Sequence, residues 1–518
     1  MEVMIKKDDL ALENATLKNR INELETLVKY YEEQFRLAKA KQFGKSSEQS
    51  AHDDQISLFN EAEITAAPKI EEPELVEIEK HYRKRKRSAT ETLPEDLPVE
   101  IVEHSLSEQE QICVECGGEL HVMGQESRRE LKIIPAQVKI FEHRRSIYSC
   151  RHCEKNNDHT PIVKAAMPEP VIKGSFASAE AVAHIMTQKF VTGVPLYRQE
   201  QEWNRQGILL SRQTMSNWLI RCASDWLEPL YGRLKKRLLK HDVLHADETT
   251  LQVLHEPGKS ANTNSYMWLY RTSGDTDKHI VLYEYRPTRS GSNAKAFLTG
   301  YKGYLHTDGY SGYHNLPEDI VVVGCLAHVR RKFDEALKGL AKEQRKDSAA
   351  NAGMWYCDAL FKLEKKYAPY PPEKRYEARI KYSLPLAQDF LLWAKKESKN
   401  ILPKMLTGKA LNYLSEQWIY LKNVYRDGRL EFSNNRAERS IKPFVIGRKN
   451  WLFANVIKGA KASSVIYSII ETAKENGLKP FEYLVFLLEN MPNTTTGKID
   501  DLLPWSDFVP TSCRVPVI

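Results

Sequence analysis

DVLHADETTLQV, residues 242–253, is the stretch on which the fold turns. Apolar and polar residues alternate along it, the period of a half-buried strand. It carries Asp247, with Glu248 beside it. Two stretches of the same texture follow, SYMWLYRT (265–272) and KHIVLYEYRPT (278–288), separated by turn clusters such as SGD. Then come a helical segment, SNAKAFLTG (292–300), a strand, KGYLHTDGY (302–310), and DIVVVGCLAHVRRKFDEAL (319–337), a buried strand running into a basic helix. The predicted order is three strands, a helix, a strand, a helix and a strand, which is a mixed sheet flanked by helices and the order of a ribonuclease-H-like core.

Asp247 and Asp308 sit where strand texture gives way to turns. On adjacent strands, side chains at matching register share a face, which brings two carboxylates within a few ångströms. Such a pair repels, and divalent cations relieve the conflict. Mg²⁺ (or Mn²⁺) prefers oxygen ligands, and two ions in one site can activate a water or sugar hydroxyl and stabilise a leaving oxygen. The bland alternative is that each acid only makes a turn. Glu248 is expected on the opposite face of its strand.

A third carboxylate is expected from SNNRAERSIKPFVIGRKN, residues 433–450. Five basic residues, Arg436, Arg439, Lys442, Arg448 and Lys449, surround one acid, Glu438. Asn434 or Asn435 caps the helix, which puts Glu438 near its first turn. The bases would grip phosphates while the acid holds metal. An ion pair with Lys442, or plain surface charge, is the competing reading. For Glu438 to join the sheet, residues 337–430, helical throughout in texture, must be an insertion.

Upstream, residues 170–240 read as helical. LYRQEQEWNRQG, a turn with Gly207, and SRQTMSNWL give helix, turn, helix, with Ser211 as N-cap. Arg212, Gln213, Ser216 and Asn217 would face base edges in a helix-turn-helix; ordinary helical packing is the alternative. Earlier still, Cys113 and Cys116 are followed, 34 residues beyond Cys116, by Cys150 and Cys153, with strand-like sequence between. Two CxxC turns present four thiolates to one Zn²⁺, a closed structural site and so a zinc ribbon. His143, His152 and His159 rank lower as ligands.

Residues 51–79 hold nine acids and one lysine, and KHYRKRKR (80–87) holds six bases, an acidic then basic linker. Residues 7–37 carry a heptad seam: Leu10, Leu17, Leu24 and Tyr31 on one position, Asn14, Ile21, Val28 and Phe35 on the other. This predicts a coiled coil and a homo-oligomer, against a lone amphipathic helix packed on its own domain. The 518 residues exceed one core, and the net charge of +7 is mild. No apolar run reaches membrane-spanning length and the N-terminus lacks a signal-peptide core, so a cytoplasmic, nucleoid-associated protein with no membrane partner is expected.

The expected division is therefore coiled coil (1–45), linker (46–100), zinc ribbon (101–165), helix-turn-helix region (170–240), core (241–336), helical insertion (337–430), the rest of the core (431–474) and a C-terminal segment (475–518). The class is multidomain α+β.

HADET (245–249), HTDGYSGY (306–313), GCLAHVRRKF (324–333) and SNNRAERSIKPFVIGRKNWLF (433–453) resemble the catalytic motifs of the insertion sequence 66 family of DDE transposases. The N-terminal helix ending in RLAKAKQFGKSSE, the CxxC pairs, GVPLYRQEQEWNRQG and ENGLKPFEYLVFLLENMP (475–492) are similar to the family's other segments, so nearly the whole chain is covered. The resemblance implies that Asp247, Asp308 and Glu438 are catalytic, that His328, Arg330 and Arg331 lie near the DNA backbone, and that Arg436 and Arg439 flank the last acid. It implies metal-dependent cutting at transposon ends, strand transfer into target DNA, and small accessory proteins as partners. Two other readings are a non-catalytic zinc-containing DNA-binding regulator and a ribonuclease-H-fold nuclease without strand transfer.

Overall fold

The computed structural model describes residues 2–43, 138–150, 162–494 and 496–516, in two compact units. The linker and Cys113, Cys116 and Cys153 lie outside the described residues. In the smaller unit, α1 being in the other, β1 (Ile147–Ser149) pairs antiparallel with β2 (Ile162–Lys164) and leads directly into Cys150. Among the described residues 138–150, strand is confined to β1, and 138–146 form none.

The larger unit begins with α1 (Glu2–Phe43). Its seam residues from Leu17 to Phe35 are exposed, Leu24 at 46% and Phe35 at 70%. Its last turns pack on the chain itself: Leu37 is buried with Ala336, Ala350 and Leu406, and Glu33 accepts the Leu406 N–H at 3.1 Å.

Helices α2 (Ala179–Phe190), α3 (Leu196–Arg205), α4 (Arg212–Cys222) and α5 (Glu228–Leu238) follow. Gly207 closes the α3 end at φ +77, a conformation glycine adopts without strain, and the Ser211 hydroxyl accepts the Thr214 N–H at the start of α4.

The sheet contains β3 (Val243–His255), β4 (Asn264–Thr272), β5 (Val281–Arg286), β6 (Gly303–His306) and β7 (Ile320–Val323), with α6 (Gly291–Phe297) before β6. Spatial order is β5-β4-β3-β6-β7. The first three strands pair antiparallel, while β3, β6 and β7 run parallel. A helix between the last two strands was expected; the connection is instead a single 3-10 turn, Ser311–Tyr313. Gly309, Gly312 and Pro317 crowd that short connection and oppose a longer helix.

From β7 the chain enters α7 (Leu326–Gly339) and an all-helical excursion, α8 (Ala349–Tyr367), α9 (Pro372–Ala378), α10 (Leu384–Glu397) and α11 (Leu406–Leu421). α8, α10 and α11 share a core with α7 through Phe333, Leu360, Phe390 and Leu414. The chain then returns as α12 (Asn435–Trp451), β8 (Ala454–Val456), α13 (Ile457–Glu475) and α14 (Pro480–Asn490). β8 pairs with the far end of β3. On α13, Ser468 and Thr472, one turn apart, accept the outward N–H groups of Tyr283 and Val281 at 2.7 and 3.0 Å. The edge strand β5 is thereby closed to further pairing.

The return path is anchored by Arg379, fully buried. Its guanidinium donates to Glu364 at 3.0 Å, to the Asp427 carbonyl at 3.1 Å and to the Leu430 carbonyl at 2.7 Å. Arg379→Met strands the Glu364 carboxylate, so a loss of about 3–5 kcal/mol of stability is expected in urea unfolding.

Candidate active site

β3 and β6 run parallel with His245 beside His306. Both imidazoles are fully buried and stack, centroids 4.4 Å apart and planes at 11°. Asp247 and Asp308 each follow one of these histidines by two residues. The Asp247 carboxylate accepts its neighbour's N–H, from Glu248, at 2.8 Å. Asp308 accepts the Tyr310 N–H at 2.9 Å, so it also makes the local turn that its place before Gly309 suggests.

Asp308 lies just past the end of β6, as expected, but Asp247 lies inside β3, because its strand continues in pairing with β4. Asn434 brings the third acid to this part of β3. It occupies the N-cap position of α12, yet its side chain does not cap. The amide donates to the Ala246 carbonyl at 2.8 Å and its oxygen meets His245 Nδ1 at 3.0 Å. With the amide nitrogen already donating to a carbonyl, His245 must carry its proton on Nδ1. The Asn434 backbone N–H points to Cys325 Sγ at 3.1 Å, just before α7. One buried residue therefore ties β3, the start of α7 and the start of α12. Glu438 sits one turn further on, its N–H bonded to the Asn434 carbonyl at 3.2 Å.

Burial raises the Asp247 carboxyl well above the usual range, and the charges of Glu248, Asp308 and Glu438 add to it. Four carboxylates thus share one field. Glu248 is already engaged: Arg289 and Tyr313 donate to it at 2.6 Å each, and its side chain is 1% exposed. Asp247, Asp308 and Glu438 remain as a half-buried set of oxygens, the donor type that hard divalent cations select. Among the described residues they do not form a trio with all oxygens within 4.8 Å. Acids spread across two ions about 3.5–4 Å apart need no such closeness.

Arg331 reaches Glu438 at 3.1 Å, and His328 Nε2 lies 3.6 Å from the other Glu438 oxygen. Arg330 turns to Asp358 of α8 at 2.7 Å. Of the α12 cations, Arg436 pairs with Glu431 ahead of the helix at 2.9 Å, and Arg448 bonds to Thr249 and Thr250 of β3. Arg439 and Lys449 are exposed, and Lys442 is half-buried. On α4, Arg212, Gln213 and Asn217 are exposed and Ser216 half-buried; Gln213 donates to Asn217 at 3.2 Å, and Glu200 accepts the Arg212 backbone N–H.

The family model described as "Transposase IS66 family" matches residues 174–462, more than half of the chain. The chain belongs to the IS66 transposase family. Its zinc-finger domain model matches residues 110–154, which include all four CxxC cysteines and support a structural zinc. Two further models, described as "Transposase C of IS166 homeodomain" and "IS66 C-terminal element", match residues 30–102 and 468–505. Among curated relatives, uncharacterized protein y4jD of Sinorhizobium fredii (strain NBRC 101917 / NGR234) is 29% identical, over 80% of this chain and 81% of that protein. Uncharacterized protein y4qI of the same strain is 30% identical, over 76% of this chain and 74% of that protein.

Sequence reasoning passed over His245 and His306, and took Asn434 only as a candidate helix cap. A signal for the first two was present: both acid motifs of this IS66 family member read His-x-Asp. Burial lowers His245 to about 4 and His306 well below its usual value, so both are neutral at pH 7. Their contribution to stability is complete above about pH 6.5 and is lost as pH falls through the folded values. Urea unfolding is expected to weaken below pH 6.5 by up to about 1.4 kcal/mol per pH unit for each histidine, and to flatten in His306→Asn. Asp247 has the opposite sign. Its raised value favours the fold at acid pH and costs stability as pH rises from about 4. In metal-free protein at pH 7, Asp247→Asn is expected to raise Tm by roughly 2–4 °C, by calorimetry.

Proposed function

We propose that this chain is a DDE transposase that cuts DNA at the ends of its element and joins them to a target. The observation that carries the reading is that Asp247, Asp308 and Glu438, from three distant parts of the chain, come close enough beside β3 for their charges to act on one another. Strand order β5-β4-β3-β6-β7, with a helix returning to β3 after a helical excursion, supports a ribonuclease-H-like core.

The three acids would hold two Mg²⁺ or Mn²⁺ ions, which supply activation of a water or 3′-hydroxyl and charge stabilisation at the phosphate. The chain's own residues prepare that place. Asn434 and the histidine stack hold the carboxylate-bearing segments in register. Arg331 lies against Glu438 and carries a half-exposed cation to the site edge, where a phosphate can take over the pairing. Arg439, Lys442 and Lys449 on α12 offer further phosphate contacts, with Arg436 and Arg448 steadying the helix beneath them. The exposed N-terminal end of α4, with Arg212, Gln213, Ser216 and Asn217, is the proposed base-reading surface.

The zinc is proposed to sit on Cys113, Cys116, Cys150 and Cys153. The exposed seam of α1 fits a coiled coil with a second copy. Among the described residues no helix is long and apolar enough to cross a membrane. DNA partners place the protein at the nucleoid, with the element's small accessory proteins as further partners.

Asp247→Asn, Asp308→Asn and Glu438→Gln are each expected to lower end cleavage and strand transfer by more than about a hundredfold, with DNA binding retained. Plasmid-based transposition with gel-shift controls reads both. Normal strand transfer by any one variant removes that acid from the site. Binding without nicking in Mg²⁺ or Mn²⁺ would favour a regulator, and hydrolysis without joining a plain nuclease.

A further inference from the structure

Among the described residues, one trio of Cys, His and carboxylate side chains has ligand atoms all within 4.8 Å of one another: Cys325, His328 and Glu438. Only Glu438 belongs to the acid triad. We propose that this trio is a separate site for a borderline-soft divalent metal, Zn²⁺ or Co²⁺, bound by one thiolate, one imidazole and one carboxylate.

The donor set is the first argument. Thiolate and imidazole ligands select zinc-like ions over Mg²⁺. Three protein ligands and a water complete a tetrahedron, the pattern of an open zinc site. The edges of such a tetrahedron are about 3.3–3.8 Å, from metal–ligand distances of 2.0–2.3 Å. His328 Nε2 and Glu438 Oε1 are already 3.6 Å apart.

The surroundings are the second argument. Cys325 is buried at the N-terminus of α7, and its sulfur receives the Asn434 N–H at 3.1 Å. Burial pushes the Cys325 thiol up to about 12, the amide donors and helix N-terminus offset this in part, and the metal itself must displace the proton. Glu438 Oε1 and His328 Nδ1 are buried atoms that make no hydrogen bond.

The third argument is Arg331, which stands where a cation would. Its guanidinium lies 3.3 Å from His328 Nε2 and 3.1 Å from Glu438 Oε2, and the side chain is 49% exposed. It can swing out. Metal entry then displaces the Cys325 thiol proton to solvent and releases Arg331 from Glu438. A loaded trio holds Glu438 away from the Mg²⁺ pair, so Zn²⁺ would inhibit cleavage. That consequence, unlike the binding itself, rests on the reading of Glu438 as a catalytic acid.

The test is cobalt chloride added to the full-length, zinc-loaded protein, followed by absorption spectroscopy. Zinc already fills the ribbon, so the signal sought is a new near-ultraviolet sulfur-to-cobalt band. The expected result is a band in wild type that disappears in Cys325→Ser and is lost or weakened at least tenfold in apparent affinity in His328→Gln. Arg331→Met, which removes the competing cation, should move the titration to at least tenfold lower cobalt. Circular dichroism checks each fold, and if Cys325→Ser fails to fold, the other two variants decide. No band at millimolar cobalt, a band indifferent to Cys325 and His328, or weaker binding in Arg331→Met overturns the proposal.

Discussion

Like charges repel, and this fold spends its buried polar contacts on holding like charges together. Asp247, Glu248, Asp308 and Glu438 gather beside β3 just past its pairing with β6, and burial makes their repulsion stronger than it would be in water. Asn434 is the fastening that keeps the last of them there. Its bonds to Ala246 and His245 fasten the start of α12 to the first half of β3.

The rest of the structure can be understood as bracing for that fastening. Stacked His245 and His306 hold β3 against β6 just below the acids. Arg271, 2% exposed, reaches from β4 to Ser440 of α12 and to Glu475 of α13 at 2.9 Å. Arg448 binds back to Thr250, beyond the acids on the same strand. α12 is therefore held before, beside and after Glu438. Arg379 does the equivalent task for the helical excursion, so a long detour returns to a defined place. Glu248 shows the other way to settle a buried carboxylate, neutralised by Arg289 within the protein and so left out of the metal-ready set.

What was legible in the sequence was local. Alternation marked β3, β4 and β5, an unbroken apolar run marked β7, and the turn at Gly207 and the cap at Ser211 declared themselves by residue type. The two acid motifs and Glu438 were visible, and their meeting depended on treating residues 337–430 as an excursion. Partners far along the chain were not legible. Asn434 looked like a helix cap, because nothing local shows that Ala246 waits for its amide. Arg436 looked like a free cation beside Glu438, whereas Glu431 pairs with it. Cys325 carried no signal of its own in the sequence; folding sets it beside His328 and Glu438. The helix expected between β6 and β7 failed because a secondary-structure order was imposed on a glycine-rich connection.

The central claim is that three carboxylates from distant segments jointly hold a pair of hard cations against DNA. Anomalous diffraction from crystals of the protein with an end-sequence duplex and Mn²⁺ tests it most directly. The account predicts two manganese peaks about 3.5–4 Å apart, both touching Asp247, with Asp308 and Glu438 each on one ion. Manganese bound elsewhere, with these three side chains left without an ion in the DNA complex, would contradict it.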